Sequence, residues 1–553
     1  MVWRAQVPPP VSPPIMPIVP IPFIDPIFLP VQPVPEQTFS MIIPTRHRRL
    51  PQHVLTLLLA ILLLLPAAPA LAQPIISGDQ LAAIVPDQRA DIAEVLKAGL
   101  TAYTIEATLA PAPVNTSKIG GIVTGTAHID YLNDTGEPIT GLPLRLFANG
   151  INDTIFLDAV TVAGEPVEPE MSVWNSVATL PLPGALGAGE RIVVEIDYHL
   201  DVPIGEVVHY GILGIDPENQ TWALAEWYPL VAGWVDGKGW MLDAPSYTGD
   251  AIFSTTSTYD VTLHAPESMQ LVTTGVQLHR STDGGMQTAR FVTGPARDFT
   301  IVADDDFIST SLEYGGTTIT SWYLPGEETN GEAVAEFARR SLEYFSALIG
   351  PYPYAELDLL SVNVYGALGV EFPQLVYMGR DYYTRDIDLD APSNLEFTVA
   401  HEVLHQWFYG MIGNNQYDHA FIDEGLTQYI SGDLYFRHVY GDTAGATFSE
   451  NAFRNTYASG IANRGDRTIV DTPSDSFNSS TDYVFAMYYK APMGFDTILK
   501  AIGVDAFTAA LQDYFNDFRF GIAQPEDLLR AFETASGQDL GDLWYLWFES
   551  ASG

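Results

Sequence analysis

From residue 73 to residue 307 apolar and polar residues alternate in short runs. "YTIEATLA" (103–110), "GIVTGTAHIDYLN" (121–133), "RIVVEIDYHLDV" (191–202) and "STYDVTLHA" (257–265) each put apolar side chains on one face of a strand. Turn residues punctuate them, as at Asn133-Asp134-Thr135-Gly136 and Asp283-Gly284-Gly285. One helical pattern, "DQRADIAEVLKAGL" (87–100), comes first. The region predicts an antiparallel β-sandwich or saddle.

Past about residue 330 the period lengthens. "GEAVAEFARRSLEYFSALIG" (331–350), "LEFTVAHEVLHQWFYGMIG" (395–413) and "AFIDEGLTQYISGDLYFRHVYG" (420–441) repeat apolar residues at helical spacing, and each stops on glycine. Strand-like runs lie between them, "ELDLLSVNVYG" (356–366) and "FPQLVYMG" (372–379). No internal repeat is visible. The chain therefore reads as a multidomain α+β protein, a β-domain over 73–307 followed by an α+β domain over 308–553. Its 553 residues exceed what one ordinary core accommodates.

The first 72 residues follow neither pattern. Residues 1–40 hold 12 prolines and almost no charge, as in a disordered segment or an over-extended start of translation. Residues 41–72 predict a signal peptide. Arg46, Arg48 and Arg49 precede the apolar run Val54–Leu65, and Ala70-Leu71-Ala72 supplies a small-x-small cleavage site. The apolar run is shorter than the roughly 20 residues a membrane span needs. Export with cleavage after Ala72 is the favoured expectation, to periplasm, cell surface or medium. An uncleaved N-terminal membrane anchor is the alternative.

Composition removes several chemistries. No cysteine is present, which excludes zinc-thiolate sites, disulfides and thiol nucleophiles without forbidding export. With 25 Lys+Arg against 68 Asp+Glu the net charge is −43, and such a field repels nucleic acid. The acidic excess reads as a solvated surface. Hydrophobic residues make up 47% of the chain, enough for large cores.

Within that frame "AHEVLHQWFYG" (400–410) carries the chemistry. On a helix His401 and His405 lie one turn apart on one face, so both imidazoles reach one ion, and Glu402 beside them can deprotonate a water. Zinc suits neutral imidazole and brings the pKa of its water to about 7. A third ligand is required, and Glu424 supplies it from the next helix, with eighteen residues between it and His405. One zinc per chain is expected. His419, close by in sequence, reads as a loop residue.

H-E-x-x-H-x18-E, with "HQWF" after the first part and "DEGL" around the last glutamate, resembles the aminopeptidase N and leukotriene hydrolase family of zinc metallopeptidases, the gluzincins. "WYP" (227–229), "YDVTL" (259–263), "RDFTIVADDDF" (297–307) and "GPYPYAELDLL" (350–360) extend the resemblance over nearly all of 73–553. It implies a thermolysin-like catalytic domain after the β-domain, and peptides with a free N-terminus as substrates.

The resemblance also implies further site residues. "GALGVEFPQLVYMG" places Glu371, after Gly369 and Val370, where the family binds the substrate's α-amine. The family's preceding methionine is missing here, and Phe372-Pro373 follow. "YYKA" places Tyr488 as the oxyanion donor, with Ala491 where the family has glycine and with Tyr489 and Tyr483 as competing aromatics. Gln220, nine residues before Pro229, matches a β-domain position that assists amine binding. Larger members continue into a helical domain after the segment resembling "PEDLLRAFETASGQDLGDLWYLWFES". The chain therefore resembles a short bacterial-type member with a more open site.

Together these imply an exported zinc aminopeptidase. A zinc endopeptidase on the same scaffold and a non-catalytic peptide-binding surface protein are the alternatives. Oligomeric state and the preferred first residue leave no trace in the sequence.

Overall fold

The computed structural model describes residues 78–112, 118–150, 153–205, 210, 212–246, 248–249, 252–389 and 391–551. The expectations for residues 1–72 lie outside them. All described residues fall within one compact unit.

The alternating segments form the expected strands. An eight-stranded sheet runs, in spatial order, through Val276–Asp283, Met286–Val292, Ser257–Pro266, Thr101–Pro111, Ile119–Leu132, Arg191–Pro203, Ile155–Val162 and Glu165–Pro166. Thr101–Pro111 alternates buried and solvent-facing side chains, with Tyr103, Ile105, Ala107 and Leu109 inward. Two four-stranded sheets pack with it. One pairing departs from the antiparallel expectation. Thr101–Pro111 and Ser257–Pro266 run parallel, with Tyr103 opposite Tyr259. The chain between them is long enough for the crossover that parallel pairing needs.

The last strand of this region is Ile301–Asp304. At Ile308 a separate five-stranded sheet begins, in spatial order Ile308–Tyr314, Thr317–Tyr323, Glu356–Val362, Leu375–Gly379 and Gly369–Phe372. Gly369–Phe372 is its edge strand, antiparallel to Leu375–Gly379 with Glu371 opposite Val376. Among the described residues no further strand lies beyond it, and Gln406 Nε2 donates to the Phe372 carbonyl at 2.9 Å. The two regions share a core. Leu360, Val362, Val370, Phe372, Leu375 and Tyr377 join the β-region cluster, whereas Leu357, Leu359, Val376 and Met378 face the helices.

The long helix Glu328–Leu348 buries Val334, Phe337, Ala338, Leu342 and Phe345 on one side, the spacing that the sequence shows. The motif helix is shorter than expected. It spans Asn394–Leu404, and Ser393 caps its start by accepting the Glu396 amide. His405 is its C-cap, well before Gly413, and in the turn that follows Tyr409 takes φ of +100°. The third predicted helix begins as a 3-10 turn, Ala420–Ile422, and continues through Glu424–Tyr429 and a π-helical stretch, Ile430–Tyr435. It breaks at Gly441, where φ is +80°. Among the described residues no helix is long and apolar enough to cross a membrane.

Candidate metal and peptidase site

Helical spacing and a return of the chain build the centre. His401 and His405, one turn apart, bring their Nε2 atoms within 3.1 Å of each other. Glu424, at the start of the next helix, points Oε2 at both, 3.1 Å from His401 Nε2 and 3.7 Å from His405 Nε2. All three side chains are buried. Gly425 allows the approach of the segment behind them, because a Cβ there would stand 2.5 Å from the Cβ of Ala491.

The donor set fits zinc. A tetrahedral zinc ion with bonds of about 2.0–2.1 Å holds its ligand atoms roughly 3.3 Å apart, close to the spacing found. Burial pushes the His401 pKa down, which keeps that imidazole neutral. Burial opposes ionisation of Glu424, but hydrogen bonds from His401 and His405 outweigh it and hold the carboxyl well below its usual range. A neutral imidazole and an ionised carboxylate are the forms that ligate a metal. Burial also disfavours a charged His405, yet Glu371 and Asp423 together push its pKa well above the usual histidine value. A dication among these atoms would reverse that preference.

Asp423, which the sequence reading passed over, orients His405. Its Oδ1 lies 2.7 Å from His405 Nδ1, and Gln416 donates to its Oδ2 at 2.6 Å. Phe408 O is 3.1 Å from the same Nδ1. Proton occupancy at Nδ1 leaves the Nε2 lone pair facing Glu424 and His401, the usual arrangement of a ligating histidine.

Glu402 and Glu371 complete a second cluster with His405, their ligand atoms within 4.8 Å of one another. Glu371 is only 7% exposed and sets Oε1 3.9 Å from His405 Nδ1. Burial pushes the Glu402 carboxyl up to about 8; His405 opposes, while Glu424 and Asp423 add to the rise. Gly369 makes room for it, since a Cβ there would fall 2.6 Å from Glu402 Oε1. The edge strand can thus lie directly against the motif helix.

Of the clustered tyrosines, Tyr488 reaches the centre. Its Oη donates to Glu424 Oε1 at 2.6 Å, and its ring stands 6.1 Å from that of His401. Tyr489 turns towards Phe485, and Tyr483 packs edge-on to the Tyr488 ring. Removing one oxyanion donor costs on the order of 10²–10³ in kcat. For the oxyanion role that the resemblance implies, Tyr488→Phe is expected to lose that much in kcat while Tyr489→Phe stays near wild type, as steady-state kinetics on a peptide substrate would read. The reverse pattern would shift the assignment by one residue.

Gln220 does not join the site. It sits exposed in the turn between Leu213–Ile215 and Trp222–Leu224, at φ +64°, and its Nε2 donates back to the carbonyls of Asp216 and Pro217. That turn satisfies the amide locally, so counting back from Pro229 misplaces it. The carboxylate that does face inward is Glu226, just after Trp222–Leu224. It lines a small cavity with Tyr228, Asp298, Thr300 and Phe372, the last adjoining Glu371. Burial lifts Glu226 to about 8, with Arg145 opposing and Asp298 adding to the rise; it lifts Asp298 to about 7. An acid inside the apolar run "WALAEWYP" was the available signal. His419 lies apart from the centre, with Nδ1 2.6 Å from Asp471 and Nε2 3.4 Å from Lys238 Nζ.

Residues 334–547 match the peptidase family M1 domain. This chain carries an M1 peptidase domain. That span holds Glu371, the H-E-x-x-H motif, Glu424 and Tyr488. Among curated proteins, the chain is 24% identical over 303 residues to aminopeptidase M1-B of Oryza sativa subsp. japonica, covering 52% of this chain and 34% of the relative. It is 25% identical to aminopeptidase 2 of Candida albicans, covering 48% and 29%. Tricorn protease-interacting factor F2 of Thermoplasma acidophilum is 25% identical over 39% and 28%. The chain thus spans about a third of the length of the curated relatives it matches. Among solved structures, an M1 zinc metallopeptidase from Deinococcus radiodurans superposes with a TM-score of 0.58 at 16% identity, covering 82% of this chain and 94% of the other. The M1 two-region architecture therefore extends beyond the matched domain into the β-region.

Proposed function

We propose that this protein is a zinc aminopeptidase that removes single residues from the free N-terminus of peptides. The observation that carries the reading is the convergence of His401, His405 and Glu424 with three further groups around them, Glu402, Glu371 and Tyr488. His401, His405 and Glu424 would hold the metal. Bound there, zinc would polarise a carbonyl and acidify a water.

The chain's own groups account for the rest. Glu371, buried at the end of the edge strand, pairs with the substrate's α-ammonium and sets the scissile bond one residue away. Gly369–Phe372 is an edge strand, the position to which an extended peptide adds by backbone hydrogen bonds. Glu402 accepts a proton from the attacking water and returns it to the leaving amine. Tyr488 turns its hydroxyl from Glu424 to the developing oxyanion. Low water access around these buried carboxylates strengthens each of these interactions.

A strong chelator is expected to abolish hydrolysis of aminoacyl substrates by the purified protein, and stoichiometric zinc to restore it. Chelator-resistant turnover by protein shown to be zinc-free would overturn the reading. Export belongs to the same proposal and rests on the charge and hydropathy pattern of residues 41–72. N-terminal sequencing of protein from the native host is expected to start at Gln73. A mature species that retains Val54–Leu65 would make it a membrane-anchored enzyme instead.

A further inference from the structure

Arg297 is a fully charged side chain at 1% exposure, and its bonds go almost entirely to backbone carbonyls. Nε donates to Tyr409 O at 2.5 Å, Nη1 to Ser254 O at 3.0 Å, and Nη2 to Met411 O at 3.3 Å and Gly521 O at 2.5 Å. Two of these carbonyls belong to the turn that leaves the motif helix, and one to the segment that pairs with it. Burying a guanidinium costs free energy that only a complete set of acceptors offsets. Five donors in a rigid fork let one arginine tie three separate stretches of chain together.

That turn is the backbone around His405. Gly410, Met411 and Ile412 donate their amides to the carbonyls of His405, Gln406 and Trp407, and Phe408 O lies against His405 Nδ1. Tyr409, between them, is a non-glycine residue at φ +100°. Such a conformation persists only where the surroundings over-determine it. The β-region does so at both ends of Tyr409: Arg297 holds its carbonyl, and the neighbouring Asp298 accepts its hydroxyl. Gly413 closes the clamp, because a Cβ there would stand 2.2 Å from the Arg297 guanidinium carbon. The path from the β-region to His405 is thus short: the Arg297–Tyr409 hydrogen bond, one peptide link, and the Phe408 carbonyl against Nδ1.

We infer that Arg297 is a positioning residue for the metal centre: by clamping the 409–413 turn from the β-region, it fixes His405 in its ligating orientation. This rests on the reading of His401, His405 and Glu424 as metal ligands. Groups that orient a ligand from outside the coordination sphere typically change metal affinity or activity by about 10–100-fold when altered. Lysine at 297 keeps the charge but reaches fewer carbonyls.

The test compares full-length wild type, R297K and R454K for zinc affinity by chelator competition, for the absorption spectrum of the cobalt-substituted form, and for kcat and KM separately. Arg454 is a control: it is a part-buried arginine whose side-chain bonds go to Asp433, Asp496 and the Met493 sulfur and not to the turn. R297K is expected to weaken zinc binding about 10–100-fold, shift the cobalt spectrum and lower kcat with KM within about twofold, while R454K leaves zinc affinity and the cobalt spectrum at wild type. If R297K does not fold, G413A, which crowds the guanidinium without removing it, is expected to weaken zinc binding in the same direction. Undiminished zinc affinity in R297K, or in G413A where that variant decides, overturns the clamp; so does equal weakening in R454K. Wild-type protein that takes up no zinc overturns the metal-site reading itself, and the clamp with it.

Discussion

Replacing Glu402 with glutamine is expected to lower kcat by about 10²–10⁴-fold, the contribution of a positioned general acid–base group, while zinc content and thermal stability stay at wild-type levels. The amide has the shape of the carboxyl it replaces, so it fits the narrow space against Gly369, where even an added Cβ would fall 2.6 Å from Glu402 Oε1. What the amide lacks is basicity. It cannot accept the proton that the attacking water must lose, nor carry it to the leaving amine. Burial lifts this carboxyl to about 8, against the opposing charge of His405, so its proton affinity suits it to both halves of the exchange near neutral pH. Zinc is retained because Glu402 is not among the three converging ligand groups. The measurement is kcat on an aminoacyl substrate beside metal content and the unfolding midpoint. Near-wild-type turnover with full zinc would move the base to Glu371, the other carboxylate clustered with His405.

Local pattern and local spacing account for what could be read in advance. Alternation along 103–110 and 257–265 carries the strands, and the three-and-four spacing of 331–350 carries the long helix. His401, Glu402 and His405 are legible because one helical turn fixes their relation, and Glu424 because a fixed spacing repeats a known return of the chain. The parts that were missed depend on contacts far apart in sequence. Arg297 meets Tyr409 at a separation of 112 residues, and nothing in either segment announces the other. Asp423 was hidden by its neighbour, since in "DEGL" only the glutamate carries the ligand role. Gln220 failed for a physical reason: a turn residue can satisfy its own amide, whereas Glu226, held at φ +56° beyond a buried strand, faces inward. The motif helix likewise ends at Leu404, ahead of a turn in which Tyr409 takes φ +100° and contacts the distant Arg297 and Asp298.

Blocking the substrate's amino group is expected to slow cleavage by roughly 10²–10⁴-fold, and Glu371→Ala to slow free-amine peptides by a similar factor, the cost of about 3–5 kcal/mol when one partner of a buried ion pair is lost. Glu371 lies almost wholly out of solvent, and its Oε1 is 3.9 Å from His405 Nδ1. An α-ammonium that reaches it places the first peptide bond beside the metal ligands and Tyr488. Pairing with Val376 holds Glu371 in the edge strand, and on the proposed reading its pairing with the α-ammonium limits each cut to one residue. An acetylated N-terminus brings no positive charge to the carboxylate, so the ion pair with the substrate does not form. In the Glu371→Ala variant the two substrates should therefore converge, because the free amine falls to the acetylated rate and the acetylated peptide is hardly affected. One peptide in both forms, incubated with wild type and variant and followed by mass spectrometry of the products, separates the cases. Sequential loss of single N-terminal residues from the free form alone is the aminopeptidase outcome. Equal rates for both forms, or first cuts in mid-chain, would make the protein an endopeptidase and leave Glu371 a buried acid beside the centre with no part in counting.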